Sequence, residues 1–412
     1  MNIIIIGGGI IGLSAAYYIR KAGFEVTVID RHDITEGCSF GNIGYISPSH
    51  FIPLATPGII RQGMKWMMSS SSPFYIKPRL NVDLLRWGLH FKRSANASTV
   101  EKNAPHLNNL LQLSRSLMND LKEDLDDFNL IEKGIFMLYK SAVTGRHEKE
   151  LAQQAEVFGL KTVICNRQQV QDYEPETEVD VAGGVLYLDD CHVHPGKLMA
   201  NLYAKLKSMG VSFVLGRGVS AFEKRGGRIT AVQVGEQKIA ADEIIVANGS
   251  WMPQIARLLG TQILLQPGKG YSMAFDNLKH NLNYPSILVD DRVATAPIDR
   301  WLRIGGTMEL SGHSQTVLPK RVGAIYQAFK KYYPQLDLPL PDVTKAWYGY
   351  RPVSPDGMPY IGRHSRYRNL SFAGGHAMMG VSCAAGTGLL LSEMMRRQPT
   401  SISIEAFSPE RF

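Results

Sequence analysis

Two groups of residues in this chain have types and spacings that could do chemistry. The first is Gly7, Gly9 and Gly12, spaced G-x-G-x-x-G, with Asp30 about 20 residues on. One glycine permits a tight turn, one lets a pyrophosphate reach the backbone, and one lets a helix sit close on a strand. Ile10 and Ile11 open that helix, whose free N–H groups and positive dipole end suit phosphates. Asp30 can accept ribose hydroxyls, and Arg31 beside it is counted with the same cradle. FAD and NAD share this fingerprint, so it leaves both open. The second is Arg351, inside Gly349-Tyr350-Arg351-Pro352-Val353-Ser354-Pro355-Asp356-Gly357-Met358-Pro359-Tyr360-Ile361-Gly362. A guanidinium holds a carboxylate through two parallel bonds and fixes its plane. Residue type alone leaves a structural ion pair at a proline-rich turn as an equal reading.

The elements that must position these groups follow from periodicity. Asn2–Ile6 is a short apolar, β-branched run that reads as a buried parallel strand. A helix over Leu13–Ala22, ended by Gly23, and a strand over Glu25–Ile29 complete a βαβ unit. The loop Ser39-Phe40-Gly41-Asn42-Ile43-Gly44 is dense in small residues, so backbone can approach a flat ligand; Ser39, Gly41, Asn42 and Gly44 are expected to touch a cofactor. The strand Glu243–Ala247 runs into Asn248-Gly249-Ser250-Trp251 and again aims a helix N-terminus at a ligand; Ala247, Gly249 and Trp251, with Val219 from a neighbouring short strand, join the cofactor set. At the far end, the strand Leu370–Ala373, the loop Gly374–Gly380 and the helix Ala384–Arg397 repeat the arrangement. Between these pieces lie helical and strand-rich insertions. Ile59 to Met68 reads as a heavily apolar helix flanked by Arg61, Lys65, Lys77 and Arg79. It suits packing over a cavity or contact with a membrane surface. The layout predicts an α/β protein: a Rossmann-like dinucleotide-binding domain (1–58, 190–260 and 346–412) interleaved with an antiparallel-sheet α+β substrate domain (59–189 and 261–345).

The 412 residues, 44% hydrophobic and 20% charged, describe an ordinary globular protein of two or three domains. The net charge of +8 comes without a Lys/Arg block or interleaved aromatics, so no nucleic acid is expected. Cys38, Cys165, Cys191 and Cys383 form no C-x-x-C and read as reduced thiols; no metal site is expected. The apolar start lacks a basic region and belongs to the fingerprint, and no apolar run is long enough to span a bilayer. The expected location is cytoplasmic, or peripheral on the inner face of the cell membrane.

These residues resemble the FAD-dependent D-amino-acid oxidase superfamily over nearly the whole chain. Ser39–Gly44, Pro57-Gly58, Lys269-Gly270-Tyr271-Ser272 and Phe407-Ser408-Pro409-Glu410-Arg411-Phe412 look most like its bacterial D-amino-acid dehydrogenase branch. The resemblance implies FAD, held noncovalently, since Cys383 does not sit in a flavin-attachment motif. The absence of a second fingerprint agrees with that. It implies oxidation of D-amino acids, D-proline or cis-4-hydroxy-D-proline among them, by hydride transfer from the α-carbon to flavin N5. In such a reaction the protein orients the substrate and stabilises reduced flavin.

On the matching motif, Arg351 anchors the substrate carboxylate. Gly375, His376, Met379, Gly380 and Val381 lie at the flavin, where loop N–H groups stabilise its anionic reduced ring. His376 reads equally as a backbone-bonded histidine. Tyr271 reads as a substrate ligand or a cross-strand core tyrosine, His50 and Tyr45 as residues facing the substrate, and Lys269 as a residue near the flavin edge or, in preference, a solvated strand lysine. Met378 stands where glycine oxidases have a second arginine, implying a more apolar pocket. The branch implies a respiratory acceptor. An oxidase of the glycine or sarcosine type using oxygen, and a flavin subunit of a hetero-oligomeric amine dehydrogenase, are the alternatives. A nicotinamide-dependent dehydrogenase is a third.

Overall fold

The computed structural model describes residues 1–67, 72–79 and 81–412. Its architecture is two sheets facing a shared cavity. The first sheet runs Tyr360–Arg363, Leu370–Gly374, Glu243–Val246, Asn2–Ile6, Glu25–Ile29, Ser212–Val214. Its strands are parallel except the edge strand Tyr360–Arg363. Ile3, Ile4 and Ile5 are fully buried, as a strand covered on both faces requires. The helix Ile10–Lys21 covers one face and packs on the helix Gly380–Met395. Gly388 makes that approach possible, because a Cβ there would lie 2.6 Å from the Ser14 carbonyl oxygen. Three elements distant in sequence are thus held together: the fingerprint, the Glu243–Val246 strand and the C-terminal helix.

Among the described residues the second sheet has nine strands and is mostly antiparallel. Trp347–Val353, Gln266–Phe275, Trp301–Leu310 and Val293–Ile298 pair in that order, and Ser286–Leu288 leads on to Ile135–Tyr139, Gly183–Tyr187 and Thr162–Asn166. Phe74–Ile76 pairs with Trp301–Leu310. The helix Pro319–Tyr332 covers its outer face through Val322, Ile325 and Phe329. A separate antiparallel sheet, Val219–Arg225, Arg228–Val234 and Gln237–Ala240, packs against the first sheet's far side.

The α/β and antiparallel division follows the sequence pattern, with one relocation. Trp347–Val353, expected with the dinucleotide-binding piece that starts at 346, pairs along its whole length with Gln266–Phe275 of the second sheet. The strand expected over Gln262–Met273 runs instead from Gln266 to Phe275. The apolar helix spans Ile59–Met67; its expected last residue, Met68, and most of the serine run after it lie outside the described residues. Among the described residues no helix is long and apolar enough to cross a membrane.

Candidate active site

A cavity of about 1770 Å³ runs between the two sheets. That exceeds the 300–1,000 Å³ of a usual small-molecule pocket and has room for a dinucleotide with a small substrate beside it.

One end is built by the first sheet. Gly7 is left-handed (φ 118°), and a Cβ there would strike the Ala247 carbonyl oxygen at 2.5 Å. At Gly12 a Cβ would lie 1.9 Å from the Gly7 carbonyl oxygen, so helix and strand meet at van der Waals distance. Asp30 accepts from the backbone N–H groups of Gly8 (2.6 Å) and His32 (3.0 Å), which fixes its carboxylate at the strand end. Ser39 Oγ accepts from Ile10 N–H at 2.9 Å and ties the small-residue loop to the helix start. Gly41 sits under the Trp347 indole, where a Cβ would come within 2.3 Å of the ring. Arg31 stacks over Trp251 at 4.2 Å, and His313 stacks on Trp251 at 4.8 Å. Ile11, Asn42, Gly44, Val219 and Gly249 line the same space, as do His376, Met379, Gly380 and Val381 from the C-terminal loop and helix. Gly375 is left-handed (φ 78°) and forms the bend of that loop.

The other end is built by the second sheet. Gly268 is opposite Arg351, and Gly270 is opposite Gly349. The Arg351 guanidinium lies over Gly270, where a Cβ would come within 2.3 Å of it. Its Nη1 donates to the Thr307 carbonyl at 2.5 Å, and Thr307 itself is left-handed (φ 65°). Among the described residues no carboxylate pairs with Arg351. Burial pushes its pKa down to about 10, so it remains a cation at neutral pH. A half-buried cation facing a cavity without a carboxylate partner is a site for an anion. The Cys38 thiol accepts from Tyr350 N–H at 2.9 Å, and burial pushes its pKa up, so it faces Arg351 uncharged at neutral pH.

His50 lines the cavity and contacts Ser49 Oγ through Nδ1 at 3.1 Å. Burial, with Arg292 adding to it, pushes its pKa to about 4, so the ring is neutral.

Three expected residues line the cavity but give their polar side-chain atoms to the protein itself. Tyr271 is opposite Tyr348, on the sheet face away from Arg351, and its hydroxyl donates to Glu309 at 3.0 Å. The two-residue period of a strand puts the Tyr271 side chain on the opposite face from Gly270 and Arg351. Tyr45 donates its hydroxyl to the backbone carbonyls of Thr295 (2.6 Å) and Ser286 (2.9 Å) and belongs to the sheet. The His376 ring bonds Thr387 Oγ1 at 3.0 Å, and burial pushes its pKa to about 3. Its ring is neutral at neutral pH and is pinned to the C-terminal helix. Lys269 is fully buried rather than solvated, and its Nζ donates to the Ser314 and Thr316 carbonyls beside Glu309.

Several cavity residues were not singled out from the sequence. Glu148 lines the wall from the helix Ala142–Val157, and burial pushes its pKa to about 7. Thr307 Oγ1 and Asn248 Oδ1 are buried without a hydrogen-bond partner among the described residues. The Asn248-Gly249 turn after Glu243–Val246 could have flagged Asn248. Glu148 reads as an exposed helix position among Glu and Lys neighbours, with no signal of burial.

The fold and cavity are those of a flavin-dependent oxidoreductase, with a dinucleotide cradle on one sheet and a substrate wall on the other. The chain belongs to the FAD-dependent oxidoreductase family, whose model matches residues 2–394. It is 30% identical over 404 residues to a D-amino acid dehydrogenase of Granulibacter bethesdensis, covering 96% of each chain. To a D-amino acid dehydrogenase of Helicobacter pylori it is 30% identical over 403 residues, covering 95% of this chain and 94% of the relative. The fold is similar to the glycine oxidase of Geobacillus kaustophilus (TM-score 0.81, 20% identity, covering 100% and 98%). It is also similar to the L-proline dehydrogenase of P. horikoshii (TM-score 0.77, 20% identity, covering 100% and 97%).

FAD is therefore the cofactor, and the residues present fit it. Positions 7 and 12 exclude a Cβ, the N-cap of Ile10–Lys21 is Gly9 with no side chain to obstruct a phosphate, and Asn248 offers an unpartnered buried oxygen. Cys383 is buried in the C-terminal helix, and burial pushes its thiol pKa up.

Proposed function

We propose that this enzyme oxidises D-amino acids or cyclic D-imino acids to imino acids, with FAD held noncovalently by the residues named above. The observation that carries the reading is Arg351, a half-buried cation at the cavity wall without a carboxylate partner among the described residues. A substrate carboxylate would supply the missing charge, and the two D-amino acid dehydrogenases of similar length point to the same substrate class. When bound, FAD supplies the two-electron acceptor for the α-hydrogen, and the imine product hydrolyses in water. Arg351 fixes the carboxylate plane, Thr307 and Gly270 fix Arg351, and the second sheet closes the site against water.

We further propose that electrons pass to a membrane-borne respiratory acceptor. The helices Ile59–Met67 and Val82–Ser94 both reach the cavity. Val82, Leu85 and Leu89 of the second are each about 60% exposed, with the exposed basic side chains Arg86, Lys92 and Arg93 on the same helix. Apolar side chains among cations suit an anionic lipid surface.

The test is anaerobic. The purified holoenzyme is mixed singly with D- and L-amino acids, including the proline and hydroxyproline isomers, and its visible spectrum is followed. Bleaching by a D-compound is the expected result, and slow reoxidation in air favours the dehydrogenase over an oxidase. A flavin that no amino acid bleaches would sink the reading.

A further inference from the structure

An amino acid anchored by its carboxylate arrives with its nitrogen protonated. That nitrogen must lose a proton before its lone pair can assist departure of the α-hydrogen. The cavity wall holds a chain of groups suited to receive it, and its role rests on the substrate class proposed above.

The Ser49 N–H donates to Asp190 Oδ1 at 3.0 Å, and Ser49 Oγ donates to Asp190 Oδ2 at 2.5 Å. The same Oγ lies 3.1 Å from His50 Nδ1. A serine hydroxyl has one proton. While that proton is on the Asp190 side, Oγ can only accept from the imidazole, so His50 carries its hydrogen on Nδ1. Its Nε2 then holds a lone pair, and Nε2 has no hydrogen-bond partner among the described residues. His50 and Ser49 line the cavity, whereas Asp190 is 1% exposed and stands behind the wall.

We propose that His50, Ser49 and Asp190 form a relay that carries the substrate's ammonium proton into the buried carboxylate. In the step, a substrate N–H bond breaks and a His50 Nε2–H bond forms. The Nδ1–H bond breaks as Ser49 Oγ takes that hydrogen, and the hydroxyl's former proton passes to Asp190 Oδ2. The ammonium becomes an amine, the carboxylate becomes a carboxylic acid, and His50 ends as its other neutral tautomer. No electrons change hands. His50 is the catalytic residue; Ser49 and Asp190 act through it as positioning residues.

The surroundings fit this division of labour. Arg292 faces His50 and, with burial, disfavours an imidazolium, so the ring passes a proton on rather than keeping it. Burial raises the Asp190 pKa to about 7; Asp189 adds to that, while the two Ser49 bonds and Arg115 oppose it. Tyr45, Tyr187 and Cys191 also lie within reach of the Asp190 charge, and burial raises all three so that they stay protonated at neutral pH. Of the groups in contact with Ser49 and His50, Asp190 is therefore the one that changes charge near neutrality; Glu148, elsewhere on the wall and raised to about 7, titrates in the same range.

The relay predicts a particular pH profile. Below the Asp190 pKa the carboxyl is already protonated and cannot accept, so the rate falls; above it the rate levels off. Without the relay only substrate that is already neutral reacts, and the rate climbs with pH until the substrate's own ammonium titrates. Anaerobic stopped-flow reduction of the holoenzyme by D-alanine and D-proline should give kred/Kd that plateaus above about pH 7 in the native chain. Ser49→Ala and Asp190→Asn should retain flavin, lose the plateau and run at least about tenfold slower near pH 8. Ser49→Thr, which keeps the hydroxyl, should restore the plateau. Nitrogen-15 spectra of the histidines supply a second readout without substrate. The His50 tautomer should move from Nε2–H to Nδ1–H as pH rises through the Asp190 titration, and Asp190→Asn should abolish the change.

The same plateau in native enzyme and Ser49→Ala, or a His50 tautomer indifferent to Asp190→Asn, overturns the relay alone. A native flavin that no D-amino acid bleaches overturns the substrate reading and, with it, the relay's role.

Discussion

Arg351 shows how much a residue type implies and where its neighbours take over. A guanidinium in a Gly-x-Arg-Pro motif is suited to a carboxylate, but only the pairing of Gly268 with Arg351 shows that it projects into the cavity. The same pairing turns Tyr271 away, since odd and even positions of one strand face opposite sides. Arg351→Ala should keep its flavin, because the guanidinium hydrogen-bonds Thr307 of the second sheet, and should weaken apparent substrate affinity by at least about tenfold. That corresponds to the roughly 1.5–3 kcal/mol of a charged hydrogen bond. Titrating flavin bleaching with substrate checks this; unchanged affinity removes Arg351 from the site.

At the scale of elements, two contacts carry measurable consequences. The first is the meeting of the helix Ile10–Lys21 with the strand Asn2–Ile6 at Gly12. A Cβ 1.9 Å from a carbonyl oxygen cannot be accommodated without moving the helix and its phosphate-facing N-terminus. Gly12→Val should therefore purify with little flavin, read as the ratio of flavin to protein absorbance, and a normal ratio would refute the cradle.

The second contact is Glu174, 3% exposed after the helix Arg167–Tyr173, whose carboxylate accepts from Asn283 and Tyr284 N–H at 2.8 Å each. Burial raises its pKa from an ordinary 4.5 to about 7 despite those bonds. The folded state thus holds its proton to higher pH than the unfolded chain does. This group's contribution falls as pH rises from about 4.5 to about 7, by an amount on the order of 3 kcal/mol, and is level outside that window. In Glu174→Gln the fall in Tm across the window should be shallower than in the native chain. An identical slope would show that Glu174 does not titrate there.

For the whole molecule, the relevant surface is the rim formed by the helices Ile59–Met67 and Val82–Ser94. With a net charge of +8, the chain should bind vesicles of anionic lipid in flotation and leave them as salt is raised. Leu85→Glu with Leu89→Glu should reduce binding several-fold while leaving the flavin spectrum intact, since both side chains are exposed. Equal flotation of native and doubly substituted protein would count against a membrane-borne acceptor.

What the sequence by itself determined is the local part of the design. The glycine fingerprint with its flanking strands and helix, the small-residue loop at Ser39–Gly44 and the apolar Asn2–Ile6 strand depend on backbone conformation and short-range periodicity. Those are written within about thirty residues. Tertiary structure alone decided which distant groups meet. Trp347–Val353 joins the second sheet because its pairing partners lie some eighty residues earlier, at Gln266–Phe275. Lys269 is a buried cation, and not a solvated one, because Glu309 and two carbonyls from another strand and loop converge on it. Asp190 and Ser49 are 141 positions apart, and no local pattern marks either. Their bond exists because the short strands Tyr45–Ile46 and Cys191–His192 pair. Burial, which shifts the pKa values of Asp190, Glu148 and His50, is a property of everything packed around a group, and a linear pattern does not carry it.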